Sequence, residues 1–253
     1  MHTQFGLEKC LPIINSEFKP WIGPAPSSHQ NSLPLSITIS RQSGSGAHVI
    51  GNKLVEYFQL NAPDPLRPWM VFDRNLVEQV LEDHHMPQRF ARFMPEDRVS
   101  EVADVLDELL GAHPPSTVLV RQTSETILKL AERGHVIVIG RGANIITRHL
   151  NSVFHVRLVG SLDKRIAHVQ EVFGMTRKAA TELIQREDRG RQRYIKRYFG
   201  RDVDEAEQYH LVVNTDLVDY QEVARFIGDT ALKVVRQKSE RIGGRAQWSE
   251  SSL

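Results

Sequence analysis

The sequence predicts an α/β fold in which a parallel sheet is flanked by helices. Short apolar runs alternate along the chain with longer segments of helical periodicity, a pattern typical of parallel sheets covered on both faces. Two of these runs, VIVI and HLVVN, are too continuously apolar for a sheet with one face in water. With 253 residues and 40% hydrophobic content the chain can form one sizeable core. We therefore expect one domain over residues 35–236.

Five strands and seven helices are predicted within this domain. The strands are expected at Leu35–Ser40, Trp69–Phe72, Val136–Ile139, Val153–Val159 and Leu211–Asn214. The helices are expected at about 47–59, 74–84, 95–110, 116–133, 162–173, 177–199 and 220–236. The helical stretch between the second and third strands, about residues 74–115, exceeds one crossover. It is expected to form a substrate-binding insertion.

The two ends of the chain have the composition of loose segments. Residues 1–34 contain five prolines among serine, histidine and glutamine, without hydrophobic periodicity, which is typical of a linker. Residues 237–253 include Gly243 and Gly244 and end in serines, so this tail is predicted to be disordered.

Charge, cysteine content and hydropathy argue against several classes of protein. The net charge is +1, from 32 basic and 31 acidic residues, which argues against a general nucleic-acid or membrane partner. Cys10 is the single cysteine, so an intramolecular disulfide is excluded. No run approaches the roughly 18 apolar residues that a membrane span requires, and the N-terminus lacks the pattern of a secretory signal. The expected location is the cytoplasm, and the oligomeric state is left open.

A glycine-rich stretch, SITISRQSGSGAHVIG, joins the first predicted strand to the first predicted helix. In such a turn, backbone N–H groups point inward around an anion, and the helix directs the positive end of its dipole there. Glycine serves where the backbone needs a positive φ or a close approach to phosphate. The stretch predicts a phosphate-binding loop, whose candidate residues are Arg41, Ser43, Gly44, Ser45, Gly46, Ala47 and His48.

The loop departs from the pattern GxxxxGK[ST]. Gly46 matches the second glycine. Arg41 replaces the first glycine, Ala47 the lysine, and His48 the hydroxyl residue that binds magnesium. An arginine can supply the charge of the lysine from another direction, whereas His48 is better explained as a solvated residue of the first helical turn. The segment is equally compatible with an ordinary Gly-Ser turn that binds no ligand.

Two more candidate sites follow predicted strands. Arg141 stands between Gly140 and Gly142 after VIVI, at the end of the strand where open α/β sheets bind ligands. A guanidinium group in this position can clamp an anion through two hydrogen bonds, and a surface arginine is the alternative. Asp73 and Arg74 follow the strand WMVF. Asp73 either belongs to the site or caps the helix that comes next.

Residues 186–201 hold seven basic residues in a chain that is nearly neutral. A helix would align four of them on one face by their spacing of three or four positions: Arg186, Arg189, Arg193 and Arg197. An anion would relieve their repulsion, and arginines stabilise the charge of a transferring phosphoryl group. Alternatively, Glu187 and Asp188 neutralise this row as part of a solvated helix face.

Four segments together resemble the cytidylate-kinase-like family, relatives of the bacterial CMP kinases among P-loop nucleoside monophosphate kinases. They are ITISRQSGSGAHVIG, VFDRNLVEQV, GHVIVIGRGANIIT, and QREDRGRQRYIKRYFG with YHLVVNT. The resemblance covers about residues 35–235. It implies a P-loop NTPase-like fold with a helical substrate-binding insertion at about 74–115 and an arginine-rich lid at about 186–201. The family commonly has a small residue in place of the lysine, as Ala47 is here.

The resemblance also implies roles for particular side chains. The residues expected to act in phosphoryl transfer are Arg141, Arg186, Arg189 and Arg193, and those expected to bind the acceptor are Asp73, Arg74, Arg141, Arg186 and Arg193. Gly142 and Gly190 stand where CMP kinases have aspartates. Recognition of the cytosine base and of the sugar is therefore left open.

The resulting expectation is a transferase that moves the γ-phosphoryl group of ATP to a CMP-like nucleoside monophosphate or a related small phosphorylated acceptor. ATP and Mg²⁺ are the cofactors that the resemblance implies, with no metal-ligating side chain assigned. The alternative is a regulatory module on the same fold that binds a nucleotide or anion and catalyses weakly. The expected partner is a small-molecule nucleotide, and neither a nucleic acid nor a membrane.

Overall fold

The computed structural model describes residues 34–64, 67–73, 80, 83–85 and 116–250. All of them belong to one compact unit, Ser32–Leu253. The predicted N-terminal arm and the predicted helix at 95–110 lie outside the described residues, as do most of the helix at 74–84 and, with it, Arg74.

Within the described residues, five strands form one parallel sheet. They are β1 (Ser36–Arg41), β2 (Met70–Phe72), β3 (Val136–Ile139), β4 (Val153–Val159) and β5 (Leu211–Asn214). The order across the sheet is β2-β3-β1-β4-β5, so β1 is central, with Ile37 opposite Ile137 of β3 and Ile39 opposite Val156 of β4. The predicted parallel α/β sheet is confirmed. The carboxyl ends of β1 and β3 lie side by side.

Helices connect these strands. They are α1 (Ala47–Asn61), α2 (Ser116–Arg133), α3 (Ala143–Ile146), α4 (Leu162–Phe173), α5 (Arg177–Phe199) and α6 (Tyr220–Glu250), with a 3₁₀ helix at Ala206–Gln208. Side-chain caps and glycines set the bounds of α4 and α5. Ser161 and Thr176 cap their N-termini, and both helices end at a glycine in the left-handed conformation. The short α3 and the 3₁₀ helix were not predicted, because three or four residues show no periodicity.

The two faces of β1 have different surroundings. Ile37 and Ile39 are buried in the main apolar core with residues of α1 and α6 such as Leu54 and Ile227. The alternate residues of β1 are polar and form hydrogen bonds on the other face. Thr38 Oγ1 lies 2.8 Å from Nδ1 of His155 on β4. The central strand is therefore buried on both faces, as the sequence of a parallel sheet predicts.

The C-terminal segment differs from the prediction. Helix α6 continues to Glu250, although the sequence predicts disorder from about residue 237. Between 237 and 250 most residues are good helix formers and no proline interrupts them, so the helical hydrogen bonds continue through Gly243 and Gly244 at a cost of about 1 kcal/mol for each glycine. Among the described helices, none is both long and apolar enough to cross a membrane.

Candidate active site

The glycine-rich turn joins β1 to α1 as a tight loop. Gly44 and Gly46 have φ of +81° and +80°, in the left-handed region that favours glycine. The N–H and the Oγ of Ser45 both donate to the carbonyl of Gln42, at 3.2 and 2.7 Å. The chain thus reverses between β1 and α1 in the geometry that the sequence predicts.

Three N–H groups of this loop have no hydrogen-bond acceptor among the described residues. The first N–H groups of an α-helix have no carbonyl partner within the helix, and no residue that the structure describes accepts from the N–H of Gly44, Gly46 or Ala47. The positive end of the α1 dipole points at the same place. Ala47 itself is 8% exposed and packs in the main core. The loop can therefore bind a phosphate through its backbone while its side chain at position 47 contributes no charge.

Both glycines also have close neighbours. A Cβ atom on Gly46 would lie 2.4 Å from the ring of Tyr220, the first residue of α6. A Cβ atom on Gly44 would lie 2.7 Å from the carbonyl oxygen of Arg165 on α4. Burial raises the pKa of Tyr220, so its phenol is neutral at physiological pH. The loop is thus enclosed on one side by α4 and α6, and the glycines are required for this packing as well as for their dihedral angles.

A network of charged side chains joins α5 to the loop, with Asp188 at its centre. Oδ1 of Asp188 accepts from the backbone N–H of Ser43 at 2.8 Å and from Nη1 of Arg191 at 2.9 Å. Oδ2 accepts from Nη1 of Arg165 at 2.7 Å, and Arg165 also donates to the carbonyl of Ser43 at 2.9 Å. The side chains of Arg165 and Arg191 are only 10% and 8% exposed. These bonds connect α4, α5 and the loop through one carboxylate.

Glu187 adds a second carboxylate to the network. Its Oε2 accepts from Oγ of Ser43 at 2.5 Å. Nη2 of Arg191 lies 3.1 Å from the same Oγ and 4.0 Å from the Glu187 carboxylate. The N–H and the hydroxyl group of Ser43 thus both donate to acidic residues of α5. We name the set of Ser43, Arg165, Glu187, Asp188 and Arg191 the Ser43 network.

The predicted arginine row is separate from the Ser43 network. Its members are exposed on α5: Arg186, Arg189, Arg193 and Arg197. The hydrogen bonds of Glu187 and Asp188 go to the Ser43 network, so these carboxylates neutralise two buried arginines and not the row as a whole. The arginines that contact the loop are Arg165 and Arg191, which sequence reasoning missed. The spacing of Asp188 and Arg191 by three positions indicates an ion pair, but nothing in the spacing indicates that Arg191 is buried.

Three other predicted site residues meet at the end of β2. Asp73 lies 3.9 Å from Nη2 of Arg41 and 3.6 Å from Nδ1 of His48. The side chains of Arg41 and Asp73 are 18% and 22% exposed, whereas that of His48 is 68% exposed. The structure therefore brings the guanidinium group that follows β1 next to the carboxylate that follows β2. The exposure of His48 agrees with a solvated first-turn residue.

Arg141 lies in a strained turn at the end of β3. Its φ is +59°, between Gly140 at +86° and Gly142 at +68°. Such a conformation costs a residue other than glycine about 1–3 kcal/mol and occurs preferentially at ligand sites. The N–H of Gly140 donates to the carbonyl of Ile39 at 2.9 Å, and a Cβ atom on Gly142 would lie 2.7 Å from the ring of Phe199. The turn is thus adjacent both to the end of β1 and to the last turn of α5.

A buried arginine supports the segment that follows α5. Arg157 on β4 donates from Nη1 to Oγ of Ser40 at 2.9 Å, and Nη2 pairs with Asp204. The hydroxyl of Tyr209 donates to the carbonyl of Val203 at 2.8 Å and lies 3.2 Å from Oγ of Ser40. Residues 203–209 are thereby tied to the end of β1. The glycine-rich loop, Asp73, the Arg141 turn and residues 203–209 all lie at the carboxyl edge of the sheet.

Three known proteins are similar to this chain in structure or in sequence. An uncharacterized protein from Eubacterium ventriosum is similar in structure, with a TM-score of 0.56 and 18% identity over 78% of this chain and 98% of that one. A gluconokinase from Sinorhizobium meliloti has a TM-score of 0.45 and 14% identity, over 85% of this chain and 98% of that one. A uronate isomerase from Corynebacterium glutamicum is 26% identical over 112 residues. That match takes in 44% of this chain but only 21% of the isomerase, so the chain spans about a fifth of that protein.

A family profile matches the part of the chain that contains the sheet and the candidate site. The profile of the cytidylate kinase-like family matches residues 36–217, which include β1 to β5, the glycine-rich loop, the Arg141 turn and α5. The match covers more than two thirds of the chain, and the strands within it form the parallel sheet described above. The protein belongs to the cytidylate kinase-like family.

Proposed function

We propose that the protein transfers the γ-phosphoryl group of ATP to a CMP-like nucleoside monophosphate or a related small phosphorylated acceptor. One observation carries the proposal. A glycine-rich loop whose N–H groups at Gly44, Gly46 and Ala47 have no acceptor among the described residues lies at the same sheet edge as guanidinium groups from separate segments of the chain. Phosphoryl transfer depends on positioning and on neutralising negative charge, and this arrangement supplies both without a covalent intermediate.

Each part of the site has a role in this proposal. The amides of Gly44, Gly46 and Ala47 bind the phosphates of the donor, and Arg41 supplies the cationic charge that the missing lysine would provide. Arg141 clamps the phosphate of the acceptor, and Asp73 orients the acceptor beside it. The exposed arginine row of α5 closes over the reacting phosphoryl group, with Arg186, Arg189 and Arg193 as the residues assigned to this step.

Magnesium is expected to bind together with ATP. Among the described residues near the loop, one carboxylate is placed to serve as its ligand. His48 offers an imidazole where related loops offer a hydroxyl, and Mg²⁺ prefers oxygen ligands and retains several waters. The carboxylate of Asp73, near His48, is the oxygen donor at this end of the site. The ion would therefore be held by Asp73, phosphate oxygens and water, and when bound it would neutralise charge on the phosphates.

Two glycines bear on the identity of the acceptor. Gly142 comes directly after Arg141, and Gly190 lies in α5, where CMP kinases have aspartates. The hydrogen bonds that such carboxylates would accept from the sugar and the base are thus missing. We propose a CMP-like monophosphate as the simplest acceptor, and a phosphorylated acceptor that is not a nucleotide remains compatible with the same phosphate clamp.

A second candidate function is a regulatory module that binds a nucleotide or anion and catalyses weakly. Two observations favour it. Ala47 leaves the loop without its lysine, and the Ser43 network places carboxylates at a loop amide. On this proposal ATP binds and alters the exposed α5, but turnover is slow because the transferring charge is incompletely neutralised.

Turnover and binding measured together distinguish these functions. Purified protein is incubated with ATP, Mg²⁺ and a panel of nucleoside monophosphates, and ADP formation is followed while thermal shift reports binding. ADP formed only when a monophosphate is present supports the kinase proposal. A thermal shift with ATP but no ADP above the acceptor-free rate supports the regulatory module. ADP formed only with a non-nucleotide phosphate or alcohol would exclude a nucleotide acceptor.

A further inference from the structure

The carboxylate of Asp188 occupies a position suited to a phosphoryl oxygen. It accepts three hydrogen bonds, from one amide of the phosphate-binding loop and from two arginines, over distances of 2.7 to 2.9 Å. A backbone N–H and paired guanidinium groups are the donors that proteins use for phosphate. Asp188 thus has the set of partners that a phosphoryl group of a donor nucleotide would have at the same place.

The charges of the Ser43 network balance. Arg165 and Arg191 each carry one positive charge, and Glu187 and Asp188 each carry one negative charge. A polyanion that approaches the loop therefore meets arginines that are already neutralised. It can use them only if the carboxylates leave, because two anions cannot share one set of donors without strong repulsion.

The carboxylates have a short route to solvent, whereas the arginines do not. The side chains of Asp188 and Glu187 are 23% and 29% exposed, compared with 10% and 8% for Arg165 and Arg191. Hydration of the departing carboxylates offsets part of the loss of their hydrogen bonds, while the arginines stay in place to receive the incoming anion. The carboxylates of the Ser43 network can therefore be replaced by an incoming anion while its arginines stay in place.

We infer that Glu187 and Asp188 are an intramolecular competitor of the donor: they bind Ser43, Arg165 and Arg191 in the absence of nucleotide, and a phosphoryl group of ATP displaces them. This inference rests on the proposed function, because it assumes that the loop is the donor site. It makes α5 sensitive to the occupancy of the loop, since the residues released by ATP belong to the same helix as the arginine row. The contact restrains the lid until the donor binds.

Binding of ATP and of inorganic tripolyphosphate to the full chain tests the inference. Asp188→Asn keeps the shape of the side chain but leaves the network with a net positive charge. We expect its Kd for both ligands to fall about tenfold, which corresponds to one charge-assisted hydrogen bond that no longer has to be broken. Glu187→Gln, which leaves the bonds of Asp188 intact, is expected to lower the Kd less. Asp163→Asn is the matched control, because Asp163 pairs with Arg177 between α4 and α5 where both side chains are exposed, and its Kd should equal that of the wild type.

A second measurement on the unaltered protein covers the case in which Asp188→Asn fails to fold. In ¹⁵N-labelled wild-type protein, tripolyphosphate should shift the amide resonance of Ser43 together with those of Gly44, Gly46 and Ala47, because the acceptor of the Ser43 N–H changes. Shifts confined to the other three amides would overturn the inference.

The binding results are interpreted separately for the two proposals. If the wild type binds ATP and Asp188→Asn binds it equally or more weakly, the competitor inference is wrong and the proposed donor site stands. Asp188 would then hold the arginines in position. If neither the wild type nor any variant binds ATP or tripolyphosphate, both the inference and the proposed donor site are wrong.

Discussion

The ring of Tyr220 lies so close to Gly46 that a Cβ atom at position 46 would come within 2.4 Å of it. The first turn of α6 therefore limits position 46 to glycine, in addition to the φ of +80° that this residue adopts. Gly174, at the end of α4, has a φ of +65° but nothing within 4 Å of an added Cβ atom. A side chain at position 174 would therefore meet only the cost of the left-handed backbone conformation. A side chain at position 46 would meet that cost and steric overlap as well.

Alanine substitutions of these glycines should differ in their effect on stability. Gly174→Ala incurs only the left-handed conformation, about 1–2 kcal/mol. Gly46→Ala incurs that cost and about 1–3 kcal/mol more from overlap with the ring. In a Tyr220→Ala background the cost of Gly46→Ala should fall to that of Gly174→Ala. The free energy of unfolding, measured with urea, provides the comparison. Equal losses for Gly46→Ala in the two backgrounds would show that Tyr220 does not limit this position.

The buried and the exposed arginines of α5 should affect different properties of the protein, the first its stability and the second its turnover. Arg191→Met leaves the Asp188 carboxylate with fewer partners in a mostly buried network, and we expect it to lower the free energy of unfolding by about 3 kcal/mol. Arg193→Met, in the exposed row, should change stability by less than about 0.5 kcal/mol, yet it should lower kcat if the row stabilises the transferring group. Urea denaturation and an ADP assay on both variants test this. Similar stability losses for the two variants would contradict the division of the helix into a buried network and an exposed row.

Arg141 should be required for turnover. Arg141→Met removes a guanidinium group assigned to the acceptor phosphate, and loss of one such electrostatic contact lowers kcat by about 100-fold or more. Arg148→Met is the matched control, because Arg148 is exposed just after α3 and donates to the neighbouring His149. Steady-state kinetics with the best acceptor of the panel measure the effect. An Arg141→Met enzyme with the wild-type kcat and KM would remove Arg141 from the proposed site.

The stability of the protein should depend on pH through His155. Burial, with smaller contributions from the charges of His210 and Lys238, lowers the pKa of His155 to about 3, against about 6.5 for an unfolded chain. Between these values the unfolded state binds one more proton than the folded state. The free energy of unfolding therefore falls as the pH drops below about 6.5, by up to about 1.4 kcal/mol per pH unit.

Urea denaturation at about pH 7.5 and about pH 5 measures this dependence, with an expected loss of about 2 kcal/mol at the lower pH. His155→Gln should be less stable than the wild type at the higher pH, because the contact with Thr38 is changed, but its stability should vary less between the two conditions. His149→Gln, at an exposed position, should keep the dependence of the wild type. A wild type with equal stability at both pH values would show that His155 titrates normally.

The sequence by itself determined the strands and the position of the glycine-rich loop. Continuous apolar runs such as VIVI are compatible with strands buried on both faces, and strand prediction was accurate to about one residue because each run is bounded by turn or polar residues. The glycines at 44 and 46 indicated the loop because glycine adopts a positive φ without steric cost. This preference belongs to the residue itself and does not depend on the rest of the fold. The family resemblance then predicted that this loop lies in the same site as Arg141 and the lid.

Only the tertiary structure decided which arginines contact the loop. A regular spacing in sequence places Arg186, Arg189 and Arg193 on one face of α5, but it does not say whether that face meets solvent or protein. Arg191 is buried because α5 packs against α4 and the loop, and Arg165 reaches Ser43 from a helix more than 100 residues away in sequence. The pairing of Asp188 with the Ser43 amide arises in the same way. Local sequence sets the conformation of each segment, whereas burial and ion pairing depend on which segments pack together.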